Sequence, residues 1–370
     1  MNKPNDSRMA WIRNIEKLKE LDKDSYFIEH EIATECHIPG VLDYGNGKIL
    51  CGGLTIVKDK NGLYHYLIRI QHAGLEEPFY NKKADKKGYY FKDGILGEFL
   101  SLFSLYFQSR FYLIASYWGE LTNKGLKIKT ENDFLYRPCN YQIHPKIFEN
   151  NKNRNFAKGL PDFLNSIKSL KPEKHQQFIL ACYHYTRALK EVGIDSEMIF
   201  IRLVSSIEAL SKDFGLKKKD NPLNSENFDK LFNDCKFTNP QLKQLKEILK
   251  VDKEGLISIE KSKLKFIKFI EKYSKGCLKG GNWKAKHLKI KKENLAKVLK
   301  TIYDARSTYL HNGEPMYLSQ FMHGTSKWDT DPSCGIIIDN REISASKKLP
   351  YIYWFENFVR CCLLNYLSDN

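Results

Sequence analysis

At 370 residues, 42% hydrophobic and 28% charged, the chain is too apolar for a disordered protein and long enough to bury two cores. Lys and Arg exceed Asp and Glu by 60 to 44, and the resulting net charge of +16 either draws polyanions or reflects lysines left on solvated faces. The two most apolar stretches, 95–118 and 351–367, are interrupted by Glu98, Gln108 and Arg110 and by Glu356, Asn357 and Arg360, which excludes membrane spans of about 18 uncharged residues.

Along the chain, Met9, Trp11, Ile12, Ile15, Leu18 and Leu21 recur at helical spacing and predict a short amphipathic helix within 6–23. From Gly40 to Gln71 the texture becomes β-branched and aromatic, and Asn61-Gly62 supplies the positive backbone angles that a tight hairpin needs. The run GEFLSLFSLYFQSRFYLIASYW predicts a buried helix that passes into a strand near Arg110. Pro, Asn and Lys then accumulate, so 151–172 reads as a linker between a mixed β/α domain, 1–150, and a helical domain, 173–370. Beyond it helices are expected over Lys174–Val192, Asp195–Phe214, Asn239–Lys250, Leu256–Tyr273, Lys292 to about His311, and Pro350–Leu367. The expected fold class is α+β, a strand-rich N-terminal domain followed by an all-α bundle.

Several familiar motifs fail on spacing. HEIATECH, from His30 to His37, separates its histidines by seven residues where a metalloprotease helix needs four. GVLDYGNGKILCGG has Asn46 where the lysine of a phosphate loop would stand, and β-type sequence follows it instead of a helix. Nine cysteines, including the adjacent Cys361 and Cys362, form no paired Cys-x-x-Cys units, so neither a metal nor a cofactor is expected. Reduced thiols and the lack of an apolar leader at the N-terminus lead to the expectation of a cytoplasmic protein.

One segment carries chemistry. In IYDARSTYLHNG, which ends the helix beginning near Lys292, the residues Leu295, Val298, Leu299, Ile302, Tyr303 and Leu310 form a packing stripe with Arg306 on its edge. His311 follows five residues later, roughly 140° around the helix from Arg306, so the two need not meet within one chain. Asn312-Gly313 is a helix stop, since both residues tolerate the left-handed conformation.

Arg306, the four residues Ser307-Thr308-Tyr309-Leu310 and His311, together with RLVSSIEALSKDF from Arg202 to Phe214, resemble the HEPN superfamily, specifically the Apea-like branch of bacterial phage-defence proteins. The resemblance covers roughly 173–370. It implies an all-helical HEPN-type module that pairs as a homodimer and cleaves RNA without a metal, the ribose 2′-hydroxyl attacking the adjacent phosphate to leave a cyclic phosphate. Arg306 and His311 would be catalytic, with Glu208 and Asn312 in support. The residue types suit this, because an imidazole exchanges protons near neutral pH and a guanidinium binds two phosphate oxygens. A catalytically silent dimerisation or nucleotide-binding bundle is the alternative.

Between Lys261 and Lys300 stand 14 lysines against Glu271 and Glu293, and the stretch leads straight into the Arg306 helix. Trp283, Lys284, Lys286 and Lys289 are therefore candidate RNA-binding residues, the indole as a stacking face and the lysines as phosphate partners. For 1–150 no chemistry is legible; a sensor that receives a trigger is the expectation, by analogy with the resembled proteins.

Overall fold

Strand β1 (Ser25–Thr34) lies inside a six-stranded sheet of order β2-β3-β4-β1-β5-β6, in which every neighbouring pair is antiparallel. The other strands are β2 (Leu42–Tyr44), β3 (Ile49–Thr55), β4 (Tyr64–Ala73), β5 (Phe111–Trp118) and β6 (Lys127–Ile128). In this computed structural model the described residues are 10–20, 25–38, 42–44, 49–55, 62–73, 94–118, 127–128, 159–217, 230, 234–235, 238–248, 261–278, 289–316, 336–338, 341–343 and 349–370.

The sheet has one apolar face. Ile32, Ile68 and Ile70 share it and belong to a core that also holds Trp11 and Ile15 of α1 (Ala10–Glu20) and Phe99 of α2 (Gly94–Phe107). Glu29 and Glu31 alternate to the other face, where each meets a basic side chain of β4. Arg69, directly opposite Glu29, donates to it, and His65 lies 3.0 Å from Glu31. Apolar alternation does not reveal this central strand, because Glu-His-Glu masks the period-two pattern until a partner strand supplies the counter-charges. Gly62 has φ +81°, as a turn glycine should, but β3 ends at Thr55 and β4 begins at Tyr64, so the connection is longer than a tight hairpin.

The helices that follow are α3 (Leu160–Lys168), α4 (Pro172–Lys190), α5 (Ser196–Ser211), α6 (Asn239–Ile248), α7 (Lys261–Tyr273), α8 (Lys292–Asn312) and α9 (Ile352–Ser368). Apart from α3, each overlaps a span expected from apolar periodicity. Asp195 caps α5, its carboxylate accepting from the Met198 amide at 2.9 Å. Helix α5 is central to this half and packs against α4, α7, α8 and α9.

Four expectations are corrected. The second part of the supposed linker is α3, whose Leu160, Phe163, Leu164 and Ile167 are buried against the same core; polar letters in 151–172 hid an amphipathic helix. The core itself is continuous from Trp11 to Leu367, so α2 packs on α4 and the two halves share one interior. The second half also contains a hairpin, β7 (Ile336–Ile338) with β8 (Arg341–Ile343), and is not all-α. Finally, the thiols are not all reduced: Cys277 and Cys361 form a disulfide with Cα atoms 5.6 Å apart, since the fold brings the end of α7 onto α9.

The junction between the halves is polar and buried. Glu356 of α9 is fully out of water, accepting from the Tyr185 hydroxyl of α4 and from Gln108 Nε2 at 2.7 Å. Gln108, at φ +52°, ends α2, and Arg360 donates to the Leu105 and Tyr106 carbonyls, both at 2.7 Å, satisfying the C-terminal turn of that helix. Burial pushes the Glu356 carboxyl up to about 7, against the pull of Tyr185, Arg360 and Gln108.

A carboxyl whose folded pKa lies above its unfolded value favours the native state at low pH, and that contribution disappears as pH rises through about 7. Buried His30 and half-buried His72 and His184, lowered by desolvation to about 3, 4 and 4, work in the opposite direction, since acid charges them more readily in the unfolded chain. The Glu356 share is therefore isolated by comparison with Glu356→Gln. Between pH 5 and 8 the native protein should lose on the order of 3 kcal/mol relative to the variant, read from urea midpoints; parallel pH profiles would contradict the assignment.

Candidate functional site at the α5–α8 contact

The site is built on two helices whose apolar faces are already committed to the core. On α8, Leu295, Val298, Leu299, Ile302 and Tyr303 are buried, which turns Arg306 to the margin of the helix contact. On α5, burial of Leu203, Val204, Ile207 and Leu210 leaves Glu208 at the same margin. The two side chains meet there: Arg306 Nη2 donates to Glu208 Oε2 at 2.8 Å, with side-chain exposures of 20% and 23%. The Arg306 Nε is buried and has no hydrogen-bond partner among the described residues.

Tyr303 completes the cluster. Its hydroxyl donates to the other Glu208 oxygen at 3.0 Å. Burial, then the neighbouring Glu208 charge, pushes the phenol up to about 12, so it stays protonated as a donor. The Arg306 guanidinium also lies 5.7 Å from the Tyr303 ring centre. One turn of helix separates Tyr303 from Arg306, a spacing that places both on one face; read only as a core residue, Tyr303 was the member that sequence reasoning missed. Lys263 of α7 pairs with Asp304 at 2.8 Å and adds a second tie between α7 and α8.

The expected helix end is present. α8 runs through Asn312, and Gly313 closes it at φ +70°, its amide donating to the Tyr309 carbonyl at 3.0 Å. His311 lies in that last turn, exposed, with no hydrogen-bond partner among the described residues. Asn312 is exposed and bonds Glu314 at 3.2 Å. The structure thus brings Glu208 to Arg306 and leaves His311 and Asn312 outside that cluster. Leu310 was expected in the packing stripe but is 48% exposed, because the stripe ends at Tyr303 as the helix leaves the core. Lys289 is half-buried ahead of α8, whereas Trp283, Lys284 and Lys286 lie outside the described residues.

No group of His, Cys, Asp and Glu among the described residues has metal-binding geometry. No described helix is long and apolar enough to cross a membrane. No protein-family model, curated protein or solved structure matches the chain.

The cluster's coupling is measurable. Tyr303→Phe should destabilise the fold by about 1 kcal/mol and Glu208→Ala by about 1 to 2 kcal/mol. Since both act on one carboxylate, the double variant should lose less than the sum of the two. Strict additivity in denaturant unfolding would show that the hydroxyl and the carboxylate do not interact.

Proposed function

We propose that the helical half is a metal-independent endoribonuclease of the HEPN type, serving in phage defence or growth arrest, with Arg306 and His311 as its catalytic residues. The observation that carries this reading is the state of Arg306. One guanidinium nitrogen is oriented by Glu208 while the side chain keeps about one-fifth of its surface in water, five residues ahead of an exposed imidazole on a capped helix. A guanidinium held from one side offers the N–H groups of its solvent-facing edge to non-bridging phosphate oxygens as charge accumulates on them. An imidazole at an exposed helix end is accessible to take the proton of a ribose 2′-hydroxyl, which then attacks phosphorus and expels the 5′-oxygen of the next nucleotide.

Arg306 and His311 diverge by roughly 140° on one helix, so a second copy is the natural source of the missing partner at each site. Exposed Leu310, adjacent to His311, supplies apolar surface for such a pairing. The net charge of +16 and the lysines preceding α8 favour an RNA substrate. We place the protein in the cytoplasm, where such a substrate resides, and assign trigger reception to the sheet-bearing half.

A second reading rests on the same ion pair: Arg306 joined to Glu208 also holds α8 on α5, as a silent dimerisation or RNA-binding bundle would require. Incubation with total RNA in EDTA separates the two. Cleavage leaving cyclic-phosphate ends is expected for the native protein, with a loss of at least about 100-fold in His311→Ala and Arg306→Ala while circular dichroism and dimer formation persist. Activity abolished by chelation and restored by magnesium, or an active His311→Ala variant, would exclude the proposed chemistry. Replacing Lys284, Lys286 and Lys289 by Ala should flatten the salt dependence of RNA binding; an unchanged slope would return these lysines to the solvated surface.

A further inference from the structure

The disulfide between Cys277 and Cys361 joins the turn 274–278, just after α7, to the middle of α9. It is not what holds the two helices together. Phe269 and Tyr273 of α7 already pack on Tyr366 of α9, with ring centres 5.6 and 5.3 Å apart, and all three belong to the core. What the bond fastens is the turn. Asn365 of α9 holds the same turn non-covalently, donating to the Tyr273 and Lys275 carbonyls at 2.7 and 2.9 Å. Turn and helix are therefore already aligned when the bond opens, and the sulfurs stay within reach of each other.

The surroundings suit exchange. Both cysteines are half-buried rather than sealed in the core. The Asn365 amide lies 3.4 Å from Cys277 Sγ and 3.9 Å from Cys361 Sγ, and an N–H beside sulfur favours the thiolate that attacks and leaves in thiol–disulfide exchange. Cys362, the immediate neighbour, is buried with Cys36 and Cys182, and burial pushes all three thiols up. They stay neutral thiols and do not compete.

We propose that Cys277–Cys361 is a reversible thiol–disulfide switch that fastens and releases the turn from which α7 passes the chain on toward the lysine-rich stretch and α8. In closing, a cysteine thiolate attacks a small disulfide of the glutathione class, forming a mixed disulfide and releasing one small thiol. The second cysteine then displaces the other. Two electrons and two protons pass from the cysteine pair to the small disulfide, which leaves as two thiols. Through the chain that follows the turn, the switch regulates RNA binding, a consequence that rests on the ribonuclease reading; the switch itself does not.

The test equilibrates the full chain in mixtures of reduced and oxidised glutathione. The state of each cysteine is read by alkylation and mass spectrometry, and amide hydrogen exchange is followed in parallel. Cys277 and Cys361 should interconvert together while Cys36, Cys182 and Cys362 remain thiols. Amides of 274–278 should exchange at least about ten-fold faster in the reduced form, while those around Phe266 to Ile270 keep their protection. Cys361→Ser should show the faster exchange at every ratio. A pair locked in one state throughout, or turn amides indifferent to the bond, overturns the switch. If the turn responds but neither form binds RNA, the switch stands and the ribonuclease reading falls.

Discussion

Removing the Glu356 carboxyl from water is costly unless its oxygens find donors, and the way this chain supplies them ties its two halves together. Tyr185 comes from α4 and Gln108 from the end of α2, so the group is satisfied only when the sheet-bearing half and the helical bundle are both in place. Arg360, one turn further along α9, caps α2 at the same junction. The apolar core is indifferent to small shifts between helices, whereas these bonds are directional. They set the register of α9 against α2, and hence the position of the bundle that α9 backs.

The α5–α8 contact follows the same logic with more water. Glu208 and Arg306 are both about one-fifth exposed, so their pairing is worth far less as stability than a dry ion pair would be, and its main effect is orientation. Tyr303 holds the carboxylate from the protein side, and the carboxylate holds one edge of the guanidinium. The result is a cation that is placed but not saturated, beside a helix whose last turn is polar and open apart from Leu310. Helix α7 braces the arrangement through Lys263 and packs on α9 at its other end through Phe269 and Tyr273, while the Asn365 amide and the Cys277–Cys361 bond hold the turn beyond.

Legibility in the sequence divides along the range of the interactions. Apolar periodicity and stop signals are local, so α4, α5, α8 and α9 were readable, and Gly313 ends α8 as Asn-Gly implied. The candidate Arg306, its carboxylate partner Glu208 and the exposed His311 could also be named from the motif. β1 was not readable, since its acidic side chains are intelligible only beside Arg69 and His65. Helix α3 was hidden for a related reason: its four apolar residues are diluted by polar ones that face solvent, and only the core against Tyr106 selects the face, with the Phe163 ring 5.0 Å away.

By itself the sequence determined most of the helical segments of the second half, where the Arg306 helix stops, and that Arg306 and His311 lie five residues apart on it. Those properties depend on residues a few positions apart, whose relative placement the helix geometry dictates. The tertiary structure alone decided that the halves share one core, that Tyr303 serves Glu208 rather than merely filling space, and that Cys277 meets Cys361 across a sequence separation of 84. Contacts of that range are set by how whole faces pack, and no local pattern encodes which distant face will be opposite.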